Sequence, residues 1–330
     1  MDVPYLLPAG FEWSPCEVGE VQKLLAAYYV EDVGAKFRLT YSEDFIKWAL
    51  SGPSAEPDWF IGVRATETKK LLACIAGTRM KVRVNADEIQ MAEINFLCVH
   101  PKLRHKKLAP LMIREVTRRI NLAGIWQAVY TGAVLRPDAI TSARYWHRPL
   151  NVKKLYKTGF TSSQMDERLY KTTRVFDTRP MVPSDVPWVT KLLNTYFSKF
   201  KMAMIISEEE TAHMFLPRDD IVQSCVYGET DFFSFYSIPN AVTDSDEVIR
   251  TAYGYYFVPG KLTTTDLITE ALGYASKQGY DCFNMLDVAG NDTKTLWDLK
   301  FNPGTGDLHY YLFNWKTESL KQDEVGLILP

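Results

Sequence analysis

One stretch near the start of the chain recurs, without a gap, past its midpoint. Pro15-Cys-Glu-Val-Gly-Glu-Val-Gln-Lys-Leu-Leu-Ala-Ala-Tyr-Tyr29 lies over Pro183-Ser-Asp-Val-Pro-Trp-Val-Thr-Lys-Leu-Leu-Asn-Thr-Tyr-Phe197, with proline, Val18 and Val186, Val21 and Val189, the Lys-Leu-Leu triplet and a tyrosine coinciding. Each copy has the spacing of an amphipathic helix entered through a turn, with Val18, Val21, Leu25 and Tyr28 on one face of the first. After each copy the order is similar: a further helix, several strands, a long helix, then strands. Such a repeat predicts a mixed α/β chain of two tandem halves, related by a pseudo-two-fold and sharing a long twisted sheet. The pattern breaks between Thr172 and Met181, which puts the halves at 1–172 and 173–330.

Local signals place the elements. Ser42 is an N-cap with Glu43 and Asp44 in the first turn, and Pro53 closes that region. Strands are expected at Trp59 to Ala65, Leu71 to Val84 and Ile89 to Val99, and a helix starts at Leu108. In the second half Ser207-x-x-Glu210 is a capping box, and Thr264 to Lys277 is a periodic helix stopped by Gly279. Strands then read at Ile221 to Tyr227, Asp231 to Ile238, Arg250 to Val258 and Leu308 to Trp315.

A net charge of −2 over 330 residues argues against a nucleic-acid or membrane-surface binder. The five cysteines are odd in number, scattered and mostly in apolar surroundings, which reads as reduced core thiols of a cytoplasmic protein. No secretory pattern is seen, and no apolar run nears the roughly 18 residues that span a bilayer. Neither a serine elbow nor a metal-ligand spacing is present, so no metal is expected.

Two stretches carry chemistry. Glu93-Ile-Asn-Phe-Leu-Cys-Val-His100 is an apolar strand that runs through a cationic turn to the helix at Leu108. Free N–H groups and the dipole at a helix N-terminus, with basic side chains nearby, make an anion site suited to pyrophosphate. The turn lacks glycine, which excludes a P-loop or dinucleotide fingerprint. Its Arg104-x-x-Lys107-x-Ala109 resembles the pyrophosphate loop of acetyltransferase-type folds. The second stretch is the end, Val325-Gly-Leu-Ile-Leu-Pro330, whose apolar character suggests a tail tucked inside, against the usual frayed terminus.

Glu93 to His100, Gln127-Ala-Val-Tyr-Thr131, Arg144-Tyr-Trp-His-Arg148, Phe232-Phe-Ser-Phe-Tyr236 and Tyr310-Tyr-Leu-Phe-Asn-Trp315 stand in the order and approximate spacing of the N-myristoyltransferases. From about Tyr5 to Pro330 the chain resembles that family. The resemblance implies a duplicated acetyltransferase-like (GNAT-type) fold and transfer of myristate from myristoyl-CoA to an N-terminal glycine. Cys98, Val99, Arg104, His105, Lys106, Lys107, Leu108, Ala109 and Pro110 would then hold the coenzyme A moiety. The amides of Phe96 and Leu97, at an interruption in the strand, would polarise the thioester, each donor being worth about 3 kcal/mol of barrier. Without the resemblance, both residues read as plain core strand.

The same resemblance makes the terminal carboxylate of Pro330 the base. Ordinary values of about 3.5 and 7.8 make proton transfer from the amine uphill by roughly 6 kcal/mol, so a desolvated site is required. A myristoyl chain offers about a dozen methylenes, worth near 10 kcal/mol in a fitted tunnel before ordering costs. The peptide side carries over to Glu31, Asp32, Phe37, Asn95, Thr131, Tyr145, His147, Ser234, Tyr253 and Leu329, with His147 and Ser234 binding the serine of Met-Gly-x-x-x-Ser/Thr substrates.

The implied partners are such peptides, bound by a monomer without membrane insertion. The chain departs from the family at Val33 and Gly34, where further acids are usual, at Gly304-Thr-Gly306, at Pro330 itself, and in starting close to Leu7 without the Phe-Trp-containing segment that usually precedes it. A short-chain acetyltransferase on the same framework stands as one alternative, and a non-catalytic acyl-CoA or lipopeptide binder, argued mainly from the missing segment, as another.

Overall fold

The computed structural model describes residues 3–30, 36–162, 164–243 and 245–330. Glu31 and Asp32 lie outside the described residues. A 14-stranded sheet dominates; twelve of its strands run edge to edge through Phe11–Pro15, Ile61–Ala65, Leu71–Val84, Asp87–Val99, Gln127–Gly132, Asn302–Phe313, Thr141–Pro149, Cys282–Leu286, Thr251–Val258, Asp231–Ser237, Val222–Tyr227 and Arg179–Pro180, and Met202–Met204 and Val325–Gly326 join off this path. The Thr141–Pro149 strand comes early in the chain, yet it pairs on both sides with late strands. Asn302–Phe313 is inserted just as deeply, against Gln127–Gly132. Strands from the two halves of the chain are thus interleaved at the middle of one sheet.

Pairing between Asp87–Val99 and the parallel Gln127–Gly132 strand covers only Met91 to Glu93. Beyond Glu93 the ladder between these two strands stops, and the main-chain groups of Asn95 onward border a cleft. Helix Leu108–Leu122 covers one face of the sheet beside this cleft, burying Leu108, Met112, Val116 and Ile120. The repeated helices Val18–Tyr28 and Val186–Phe197 pack on the main core, which also takes Val325, Leu327, Ile328 and Leu329 from the tail.

The expected caps are in place. The Ser42 hydroxyl accepts from the Phe45 amide, and Ser207 and Glu210 form a reciprocal capping box. Several strand limits differ from the sequence reading. Residues Pro57–Trp59 form a 3-10 turn, so the strand starts at Ile61, and the last long strand starts at Asn302 instead of Leu308. Gly304-Thr-Gly306, where the chain departs from the family, is a bulge: the register with Thr141–Pro149 shifts between Pro303 and Asp307 while pairing continues. Among the described residues no helix is long and apolar enough to cross a membrane.

Candidate active site

Cys74 pairs with Cys98 and Ala76 with Asn95, so Ile75 stands opposite two residues, Phe96 and Leu97. This is a β-bulge, and Phe96 adopts φ +54°, a left-handed conformation rare for an aromatic residue. Such a backbone costs of order 1–3 kcal/mol and persists only where its surroundings fix it. The Phe96 N–H donates to Asn95 Oδ1 at 2.8 Å, and its carbonyl accepts from Cys74 Sγ at 3.3 Å. Its wholly buried ring lies edge-on to Tyr41 and against Tyr29, with centroids at 5.4 and 6.2 Å. The extra residue also shifts the side-chain alternation. Phe96 joins the main core, whereas Leu97 joins Ile94 on the face covered by helix Leu108–Leu122.

The tail reaches this bulge. Val325–Gly326 pairs in parallel with Met202–Met204, Tyr310 donates to the Leu327 carbonyl at 2.9 Å, and the Ile328 amide donates to Tyr256 Oη at 3.1 Å. These bonds satisfy the tail's main chain inside the protein and bring Pro330 to Asn95, whose Nδ2 donates to a Pro330 oxygen at 2.9 Å. Asn95 Oδ1 also accepts from Tyr29 Oη at 3.4 Å. One amide side chain thereby links the bulge, the tail and the first repeated helix.

Two apolar cavities flank the strand. One lies toward helix Leu108–Leu122, lined by Ile94, Leu97, Val116, Ile120, Ala128 and Phe313 among others. The other lies on the opposite face, where Glu93, Asn95, Phe96 and Pro330 meet Trp48, Met204 and Tyr255. Glu93 is in the second, and burial raises its carboxyl to about 7.

In the basic turn, His105 and Lys107 have positive φ, and helix Leu108–Leu122 begins without a side-chain cap. Its first amides are therefore available to an anion, except at Pro110, which has none. His105, Lys106 and Lys107 are exposed. Arg104 is engaged otherwise: its guanidinium donates to Val99 O at 3.2 Å and Tyr28 O at 2.7 Å, bracing the turn on the first repeated helix. Cys98 is buried, and desolvation raises its thiol to about 11, so it contributes bulk rather than a thiolate.

Among the residues expected to bind peptide, Tyr145 and Tyr253 meet edge-on at 6.1 Å. His147 Nδ1 is 2.7 Å from Asn284 Oδ1, and Phe160 packs edge-on against both Phe37 and His147. An amide oxygen only accepts, so Nδ1 carries the hydrogen and Nε2 is left as an acceptor; burial holds this histidine below its ordinary value. Thr131 is half-buried on Gln127–Gly132, and Leu329 is buried just before Pro330.

Ser234 stands apart. It is fully buried, two strands beyond the His147–Asn284 pair, its hydroxyl donating to Gln223 O at 3.1 Å and accepting from Ser224 Oγ at 2.9 Å. Sequence reasoning missed Tyr41, Phe160, Asn284 and Glu93 as site residues. Only register pairs Asn284 with His147, whereas Glu93, two residues before Asn95 in a strand, could have been placed on the same face by alternation.

The family model described as myristoyl-CoA:protein N-myristoyltransferase, N-terminal domain, matches residues 1–143, and the corresponding C-terminal domain matches residues 156–328. A glycylpeptide N-tetradecanoyltransferase 1 of Arabidopsis thaliana is 43% identical over 350 aligned positions, covering 99% of this chain and 80% of the relative. The crystal structure of Saccharomyces cerevisiae N-myristoyltransferase with bound myristoyl-CoA superposes with a TM-score of 0.93 at 33% identity, covering 100% of this chain and 87% of that one. A GCN5-related N-acetyltransferase from Anabaena variabilis aligns with a TM-score of 0.53 at 12% identity over 92% of this chain and 72% of its own, a likeness of fold alone.

Proposed function

Because this chain belongs to the myristoyl-CoA:protein N-myristoyltransferase family, a family of acyltransferases, we propose that it moves myristate from myristoyl-CoA to the amine of an N-terminal glycine. The observation that carries the mechanism is the Asn95 bridge between the bulge at Phe96 and the oxygen of Pro330. The thioester oxygen sits at the amides of Phe96 and Leu97, taking the place of Asn95 Oδ1 as acceptor of the Phe96 N–H. That frees Oδ1 for the incoming ammonium, which Thr131 helps to position. The α-carboxylate of Pro330 takes a proton from the ammonium. The amine then attacks the carbonyl carbon: the C–N bond forms, the C–S bond breaks, and the coenzyme A thiolate leaves, protonated by the second amine hydrogen. The buried surroundings of the tail disfavour both charged partners and narrow the pKa gap between them.

The apolar cleft behind Leu97 receives the acyl chain, and the uncapped helix start at Leu108, with His105, Lys106 and Lys107, holds the pyrophosphate. Arg104 shapes this turn. The neutral Nε2 of His147 accepts a hydrogen bond from the hydroxyl of a Gly-x-x-x-Ser/Thr substrate; a role for Ser234 needs its bond to Gln223 to open. The protein acts as a cytoplasmic monomer, and its halves divide at residue 172. The cleft favours long chains over acetyl. Mass spectrometry of a Gly-x-x-x-Ser peptide incubated with acetyl-, lauroyl- or myristoyl-CoA tests the reading: a myristoylated N-terminal glycine is expected, and absence of product, or turnover indifferent to chain length, overturns it.

A further inference from the structure

Acyl transfer from a thioester to an ammonium yields an amide, a thiol and one proton, and that proton is left on Pro330. It must leave before the next turnover, while the acyl cleft and peptide groove still hold product. The second cavity offers a separate way out. Its lining includes Asn95, Phe96 and Pro330 as well as Ala76, Thr78, Ser54, Arg79, Lys81 and the exposed Pro53.

Two polar groups stand inside it. Glu93 faces Thr78 across the ladder and lies two residues from Asn95, hence on the same side of the strand. It has no cationic partner among the described residues. Tyr255 is fully buried, and its hydroxyl has no hydrogen-bond partner among the described residues. A buried hydroxyl of this kind calls for a water or a ligand in the cavity.

The other ionisable groups around the cavity are committed elsewhere. Arg79 pairs with Glu56, and Lys81 with Glu88 at 2.6 Å. Glu210 accepts from Ser54 at 2.6 Å and from the Ser207 amide, and His213 Nε2 is 2.7 Å from Trp48 O. Tyr255 and Tyr256 face Glu93 from the Thr251–Val258 strand, with phenols held far above their ordinary range by burial.

Resting on the acyl-transfer reading above, we propose that Glu93 and Tyr255 form a proton outlet, in which the proton taken up by Pro330 passes through water in this cavity to Glu93 and leaves at the mouth beside Ser54. Glu93 touches no substrate and acts only through Pro330. Desolvation brings its carboxyl to about 7, where it can take and give a proton near neutral pH.

The test is Glu93→Gln, which keeps shape and removes the exchangeable proton site, with Tyr255→Phe as a second variant that keeps the ring. Steady-state kcat of Glu93→Gln should fall roughly tenfold to a hundredfold, the low end of what a positioned proton carrier supplies, with kcat/KM for the peptide changed less. Added imidazole should restore kcat in proportion to its concentration, which repair of a purely structural defect would not do. Tyr255→Phe should lower kcat in the same way, by a smaller factor.

An active parent whose Glu93→Gln variant keeps its kcat and pH profile overturns the outlet alone. So does a loss in kcat that imidazole does not rescue in either folded variant. A parent that makes no acylated peptide overturns the acyl-transfer reading instead, so the two failures are distinct.

Discussion

Asn95 and Pro330, 235 positions apart in the chain, are joined by an Nδ2–H···O hydrogen bond of 2.9 Å. The same asparagine accepts the amide of Phe96 at 2.8 Å, so the end of the chain and the strained bulge share one support. On the mechanism proposed above, the bulge supplies amides and the tail an acid group, and Asn95 contacts both.

Extending the chain by one residue beyond Pro330 converts the proposed base into a peptide carbonyl. Acyl transfer should fall by at least about a hundredfold, since general-base assistance contributes of order 10² to 10⁴. Binding of coenzyme A, measured by calorimetry, should be retained because the turn at Arg104 to Lys107 is untouched. An unchanged rate would reject the terminal base.

Phe96→Gly relieves a left-handed backbone but empties a fully buried aromatic site. Losing the ring costs about 3–5 kcal/mol, and relief of strain returns about 1–3 kcal/mol, so net destabilisation of up to about 4 kcal/mol is expected from urea unfolding. A stabilised variant would show that the ring contacts with Tyr29 and Tyr41 matter less than the strain.

Glu93 makes stability depend on pH in a defined direction. Its folded value of about 7 lies above the ordinary 4.5, so the folded state binds more protons between these limits, and stability falls as pH rises through the window. Glu93→Gln removes that penalty. It should match the parent near pH 4.5 and exceed it at pH 8 by roughly 1–3 kcal/mol, read as a difference in Tm between the two pH values.

On the reading proposed above, His147 bears on peptide choice. With Nε2 bare, His147→Phe should raise KM for a serine-bearing peptide about tenfold, the worth of one hydrogen bond, and hardly affect the alanine analogue. Burial lowers the histidine's pKa, so the neutral ring persists through neutrality, and KM for the serine peptide should rise only on acidification below the ordinary histidine range. A β-carbon on Gly304 would come 2.5 Å from Nε2, so Gly304→Ala should produce a similar loss of discrimination through displacement of the ring.

The repeated helix, the caps at Ser42 and Ser207 and the strands around Glu93 were all legible from spacing, because each depends on residues a few positions apart. The apolar Val325 to Pro330 tail announced its own burial for the same reason: six residues without a polar side chain are costly to leave in water. What spacing could not supply is where the strands lie relative to each other. Interleaving of Thr141–Pro149 with Asn302–Phe313, the Asn284 partner of His147 and the end of pairing at Glu93 are matters of register between distant segments. Arg104 likewise reads as a free cation until the Tyr28 carbonyl is seen to hold it. Local sequence determined which groups this chain carries and which stretches avoid water. Only the packed sheet decided which of them meet, because hydrogen-bond register and burial are set by segments that the chain brings together after hundreds of residues.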